Sequence, residues 1–188
     1  TACRVIALDD KQFKNALREQ PEFALTLMLL MTHRLRKMLA ELKASGALAR
    51  HEDDGNFPVL AKSLLAELAD ELGDHAVMRY EAGKTFMQEG QSGVFMYIVL
   101  EGRVHIQIQN HVVEEIGPGG IFGEMALLER TERLASAVAD SNCAVLAINR
   151  ATFLNLIQGN PEFGLAILGA VGERLRFMVS AYADEAAE

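Results

Sequence analysis

An α+β fold is predicted: an antiparallel β-roll, jelly-roll-like, with flanking N- and C-terminal helices, preceded by a mainly helical segment. Three observations predict it. Residues 1–38 recur as residues 141–178 without a gap, with 13 identities in 38 positions. Short strand-like runs separated by glycines fill residues 77–149. Apolar residues recur at helical spacing before and after those runs.

Taken in order, residues 2–8 alternate and read as the end of a strand, with Val5 and Ala7 matching Val145 and Ala147. A short helix is expected around residues 13–17 and again around 153–157. Pro21 and Pro161 each open a longer amphipathic helix, with Glu22 or Glu162 beside its positive end. These run to about residue 45 and about residue 182. Each copy closes on the same signature, Arg34-Leu35-Arg36 or Arg174-Leu175-Arg176. The chain therefore divides into residues 1–45, the closing strand and helices of a preceding domain that is otherwise missing, a glycine- and charge-rich linker at 46–55, and a complete domain at 56–183. A lone strand at 2–8 would leave its backbone groups unpaired, so it is expected to need a partner.

Residues 58–73 carry Leu60, Leu64, Leu65, Leu68 and Leu72 at helical spacing. Strands are then expected near 77–80, 85–88, 95–100, 104–108, 112–116, 133–139 and 143–149. Glycine turns stand between the early ones, at Gly83, Gly90, Gly102 and Gly117-Pro-Gly-Gly120. Residues 122–128, Phe-Gly-Glu-Met-Ala-Leu-Leu, interrupt the strands with a short helix.

Composition excludes several classes. The chain has 188 residues, is 50% hydrophobic and 23% charged, and so is neither disordered nor fibrous. A net charge of −8 argues against a surface built to hold nucleic acid. The longest apolar runs are too short to span a bilayer. Cys3 and Cys143 lack CxxC spacing and read as two buried thiols in a reducing, cytoplasmic compartment. Thr1 in place of an initiator Met suggests a fragment. Ten residues after Met178 leave no room for a helix-turn-helix. The cluster His33, Arg34, Arg36, Lys37 reads as a solvated helix face.

The interrupting segment carries the chemistry. Strand, glycine turn, short helix and then an arginine suit a small anion, because backbone N–H groups at the turn point at it and one guanidinium supplies forked donors. Gly119, Gly120 and Gly123 would let the backbone approach closely. Arg133 follows Glu124 by nine residues, enough to fold back over the helix. Glu124 would accept a ribose hydroxyl. The residue types alone leave this open against a plain helix cap, with Arg133 pairing to Glu124 or Glu132 at the surface.

Residues 79–84 (Arg-Tyr-Glu-Ala-Gly-Lys), Glu89-Gly90, 97–104 (Tyr-Ile-Val-Leu-Glu-Gly-Arg-Val), 122–128 and Arg133-Leu-Ala135 together resemble the cyclic-nucleotide-binding domain family. This is the module of bacterial catabolite activators, protein kinase A regulatory subunits and cyclic-nucleotide-gated channels. The resemblance covers about residues 58–180 and the tail at 1–40. It implies a phosphate-binding cassette in which Arg133 neutralises the cyclic phosphate and Glu124 accepts the ribose 2′-hydroxyl. Gly123, Met125, Ala126, Leu134 and Ala135 would complete the cradle. Phe177 or Tyr182 on the last helix would cap the base.

Two positions depart from the family pattern. Glu132 stands where proline is common, a negative charge beside the phosphate site. Leu134 stands where a small or hydroxylated residue is common, and the missing hydroxyl disfavours a guanine-specific contact. The expected ligand is therefore cAMP rather than cGMP, with no cofactor and no metal. The resemblance implies a regulatory sensor rather than an enzyme, with output through the C-terminal helices. Expected partners are a cyclic nucleotide and either a second copy, through the long helices, or the missing upstream domain. Nucleic acid and membrane are not expected. A ligand-free structural module of the same fold is the alternative. A cupin-like metal enzyme, using His105 and His111, is the weaker one, because several ligands must converge on one site.

Overall fold

A computed structural model describes residues 3–46 and 60–185, with side chains through residue 180. The first helices are α1 (Asp10–Glu19), α2 (Pro21–Ser45) and α3 (Lys62–Leu72), followed by a 3-10 turn at Asp74–Ala76. Strands β1 (Val77–Tyr80), β2 (Thr85–Met87), β3 (Phe95–Glu101), β4 (Val104–Ile108), β5 (His111–Ile116) and β6 (Ile121–Phe122) come next. Helix α4 (Glu124–Glu129) interrupts them, and β7 (Ser136–Ala139) and β8 (Cys143–Asn149) complete the roll. Helices α5 (Arg150–Gly159) and α6 (Pro161–Glu185) follow.

The strands form two four-stranded antiparallel sheets, ordered β1-β8-β3-β6 and β2-β7-β4-β5. Strands β3 and β8 are apolar on both faces for a physical reason. Met96, Ile98, Leu146 and Ile148 point to a core shared with the helices, where Phe153, Phe163, Ile167 and Leu68 also lie. Tyr97, Val99, Cys143 and Val145 point into the roll, against Phe86, Phe122, Val104 and Ala137. A strand covered on both sides loses the apolar–polar alternation and reads as a continuous hydrophobic run.

The two copies of the repeat fold into the same helix pair, residue for residue. Asp9 and Asn149 cap α1 and α5 by accepting from the N–H groups of Gln12 and Thr152. Pro21 and Pro161 open α2 and α6 after a break at Gln20 or Asn160. Phe13 meets Phe23 edge-on at 6.2 Å, and Phe153 meets Phe163 edge-on at 5.8 Å. The two long helices pack against each other, and Arg18 of α1 pairs with Glu162 of α6 at 2.7 Å.

Four expectations need correction. Residues 3–9 are not a strand: Val5 is 84% and Ile6 89% exposed. Their repeat counterpart, β8, sits between β1 and β3, and among the described residues no such neighbours flank residues 3–9, so the strand propensity goes unused. Cys3 is exposed for the same reason, whereas Cys143 is buried. Arg36 is not on a solvated face, because α2 lies along the roll and carries it to Glu129. The helix predicted over 58–73 is α3, starting at Lys62, and residues 58–59 lie outside the described residues. Of the predicted linker, only Gly46 is described; it ends α2 in the left-handed conformation.

Candidate functional site

Strand β6 runs directly into Gly123, whose φ of +80° turns the chain into α4. After six helical residues, Arg130 adopts a left-handed C-cap and reverses the chain. The return segment is pinned to the β2–β3 turn. The Arg133 N–H donates to the Gln91 carbonyl at 2.8 Å, and the Gly90 N–H donates to the Arg133 carbonyl at 2.9 Å. Backbone geometry thus aims the Arg133 side chain back beneath α4.

There the side chain is 5% exposed. Nη1 donates to the Gly123 carbonyl at 2.7 Å and Nη2 to the Phe95 carbonyl at 2.5 Å. Burial pushes its pKa below the usual guanidinium value, opposed by Tyr97 and Glu124. Arg133 pairs with neither Glu124 nor Glu132, the surface alternative left open by residue types. A guanidinium carries five donors, and the two carbonyls account for two of them.

Two glycines make room for it. A Cβ on Gly123 would stand 2.6 Å from Nη1, and one on Gly93 would stand 2.8 Å from Nε and Cζ. Gly93 was not among the predicted site residues; its place in the Ser-Gly of the β2–β3 turn was the available signal. Gly123→Ala combines strain at positive φ with a clash on Arg133. We expect it to lower stability by about 1–3 kcal/mol, read as a lower urea midpoint at unchanged slope.

Arg133 lines a cavity inside the roll mouth. Gly123, Glu124, Met125 and Ala126 line it from the α4 side, and Leu134 and Ala135 from the return segment. Ile106, Val113 and Phe122 supply apolar walls. Phe177 of α6 also reaches it, while the side chain of Tyr182 lies outside the described residues. Gly119 and Gly120 do not line it. They serve the β5–β6 turn, where a Cβ on Gly120 would collide with Ile116. Glu132 is exposed and borders a separate depression with Arg130 and Arg150, so its side chain does not face the cavity.

Glu124 is 2% exposed and does not stand free. Arg174 of α6 reaches down to it, with Nη1 at 3.0 Å from Oε1. The same guanidinium pairs with Glu114 of β5 at 3.0 Å and donates to the Ile121 carbonyl at 2.5 Å. Burial alone would lower the Arg174 pKa, but Glu114 and Glu124 outweigh it, and the net direction is upward. One arginine thus ties the last helix to two walls of the cavity. Sequence reasoning used Arg174 only as a repeat marker; an arginine in an otherwise apolar helix face was the signal for more.

The described residues hold no group of three or more His, Cys, Asp or Glu side chains placed to bind a metal ion. His105 pairs with Glu115 at 3.2 Å and lies 3.6 Å from Asp140, while His111 hydrogen-bonds to the Gln109 carbonyl at 3.0 Å. No described helix is long and apolar enough to cross a membrane.

Residues 77–160 match the family model for the cyclic nucleotide-binding domain. The chain is 36% identical over 102 residues to the cyclic AMP receptor protein of Thermus thermophilus, covering 52% of this chain and 47% of that protein. It is 35% identical over 75 residues to the cAMP-dependent protein kinase regulatory subunit of Eremothecium gossypii, covering 40% of this chain and 16% of that one. Among solved structures, the catabolite activator protein of Thermus thermophilus superposes with a TM-score of 0.56 at 30% identity, over 68% of this chain and 61% of that one. The chain spans less than half the length of these curated relatives.

Proposed function

Residues 77–160 belong to the cyclic nucleotide-binding domain family, and from that premise we propose that the chain is a cyclic-nucleotide-sensing regulatory module, with cAMP preferred over cGMP. The observation that carries this reading is Arg133: a buried guanidinium, seated by two glycines, at the wall of a largely apolar cavity. Such a group favours a small anion with an apolar body. In this reading Arg133 takes the cyclic phosphate and Glu124 the ribose 2′-hydroxyl. Gly123, Met125, Ala126, Leu134 and Ala135 supply the close cradle.

Output follows from Arg174. A ribose hydroxyl arriving at Glu124 competes with Arg174 for the same carboxylate, so ligand binding shifts the hold of α6 on the roll. The ligand moves that equilibrium only by its differential affinity for the two arrangements. Residues 1–45 are read as the closing segment of a preceding domain of the same kind, supported by the repeat and by residues 3–8, which are exposed and join neither sheet. Two free cysteines accord with a reducing, cytoplasmic setting. The proposed role is regulation rather than catalysis.

One observation favours a second reading, a structural module that takes no ligand: Glu124 already has its partner in Arg174. Calorimetric titration of the chain separates the two. The expected result is saturable cAMP binding, with cGMP weaker by about 1–2 kcal/mol for lack of a hydroxyl at Leu134. Equal, non-saturating heats for both nucleotides would leave the structural module.

A further inference from the structure

Helix α2, from the first copy of the repeat, lies across the mouth of the second copy's roll. Leu35 and Leu39 line the cavity that holds Arg133. On one rim, Arg36 ion-pairs with Glu129, the last residue of α4, and donates to the Thr131 hydroxyl at 2.5 Å. On the other rim, one α2 turn beyond Leu39, Lys43 ion-pairs with Glu89 at the end of the β2 segment. Glu89 also accepts from the Gln109 N–H at 3.0 Å, which ties this rim to the β4–β5 turn. Four residues at i, i+1, i+4 and i+8 thus place two apolar side chains over the cavity and a cation at each edge. This is one helix face, as the helical repeat requires.

The space left beneath α2 is small. The cavity holds about 90 Å³, against roughly 300–1,000 Å³ for sites that enclose small molecules. A ligand of nucleotide size exceeds this space, so its entry requires α2, or Phe177 and Met178 of α6 on the facing side, to give way.

We propose that the first repeat completes the binding site of the second: Leu35 and Leu39 form the apolar cover over the ligand, and the Arg36–Glu129 and Lys43–Glu89 pairs hold that cover shut. The assignment of the cavity rests on the function proposed above. The cover itself rests on the seating of α2. It adds a cover from α2 to the cap expected from Phe177 or Tyr182 of α6, and Phe177 lines the same cavity. It also makes access depend on a helix that belongs to the preceding segment.

The test uses the whole chain carrying Arg36→Ala and Lys43→Ala together, with Leu39→Ala as a separate variant. Both cations sit at the partly exposed edges of the α2 face that covers the cavity, and a thermal melt controls for folding. Removing two partly exposed ion pairs should raise the association and dissociation rate constants for cAMP together, each about tenfold, with a smaller change in Kd. Leu39→Ala should raise the dissociation rate alone. High salt should accelerate the wild type and leave the double variant unchanged. Rate constants equal to wild type in the double variant would overturn the cover. Absence of binding by the wild type would refute the sensor reading instead. In that case amide exchange without ligand decides the cover: faster exchange at residues 123–126 and 133–135 in the double variant supports it, and unchanged exchange overturns it.

Discussion

Arg133→Ala is expected to weaken cAMP binding by roughly 30-fold or more, since truncating one member of a buried charge-assisted pair costs about 2–5 kcal/mol. The size follows from position. Arg133 is a buried cation on the cavity wall, and its backbone is held at both its N–H and its carbonyl by the β2–β3 turn. Alanine also strands the Gly123 and Phe95 carbonyls that the guanidinium satisfies. A stability loss of about 1–3 kcal/mol should therefore accompany the binding loss. Arg133→Lys separates the two effects. It restores charge but not the planar fork, so binding should recover only in part, while one carbonyl at most regains a donor. The measurement is isothermal titration beside a urea melt for each variant. Wild-type affinity in a folded Arg133→Ala protein would refute the assigned role.

Arg174→Met is expected to be the most destabilising substitution in the roll mouth. It leaves Glu114 and Glu124 facing each other in a buried site without their shared cation. Removing one partner from a buried ionic group costs about 3–5 kcal/mol. The mechanism makes a second outcome specific. Adding Glu114→Met and Glu124→Met to Arg174→Met removes the uncompensated charges and should restore most of the lost stability, because a well-packed hydrophobic triad is often as stable as the buried ionic one. A cavity effect alone would not be rescued that way. The triple variant should also lose ligand affinity if Glu124 accepts the ribose hydroxyl. Unfolding by urea, followed by circular dichroism, reads the first effect, and titration reads the second.

Much of the candidate site was legible because its signals are local. The Gly123-Glu124 junction and Arg133 lie within eleven residues, so the turn, the short helix and the return segment bring them together without long-range help. The charge of Glu132 was legible too, but its direction was not. The bridge between Ser92 and Glu132 turns that side chain outward while Arg133 points inward. Alternation along a return segment depends on its sheet partner, which lies forty residues upstream.

The amino-acid order alone determined which segments are helical and where α2 and α6 open, since prolines and apolar period act over a few residues. The matched ranges of α1 with α5 and α2 with α6 follow from that. It also determined which strands are covered on both faces, since β3 and β8 carry no polar alternation. Only the packed molecule decided that residues 3–9 stay extended and exposed, because a strand exists through its neighbours. Only packing brought Arg174 to Glu114 and Glu124, and Arg36 to Glu129. Those contacts span 50 to 93 positions along the chain. Their existence depends on how each helix is rotated about its axis against the roll, and the buried apolar area on all faces sets that rotation jointly.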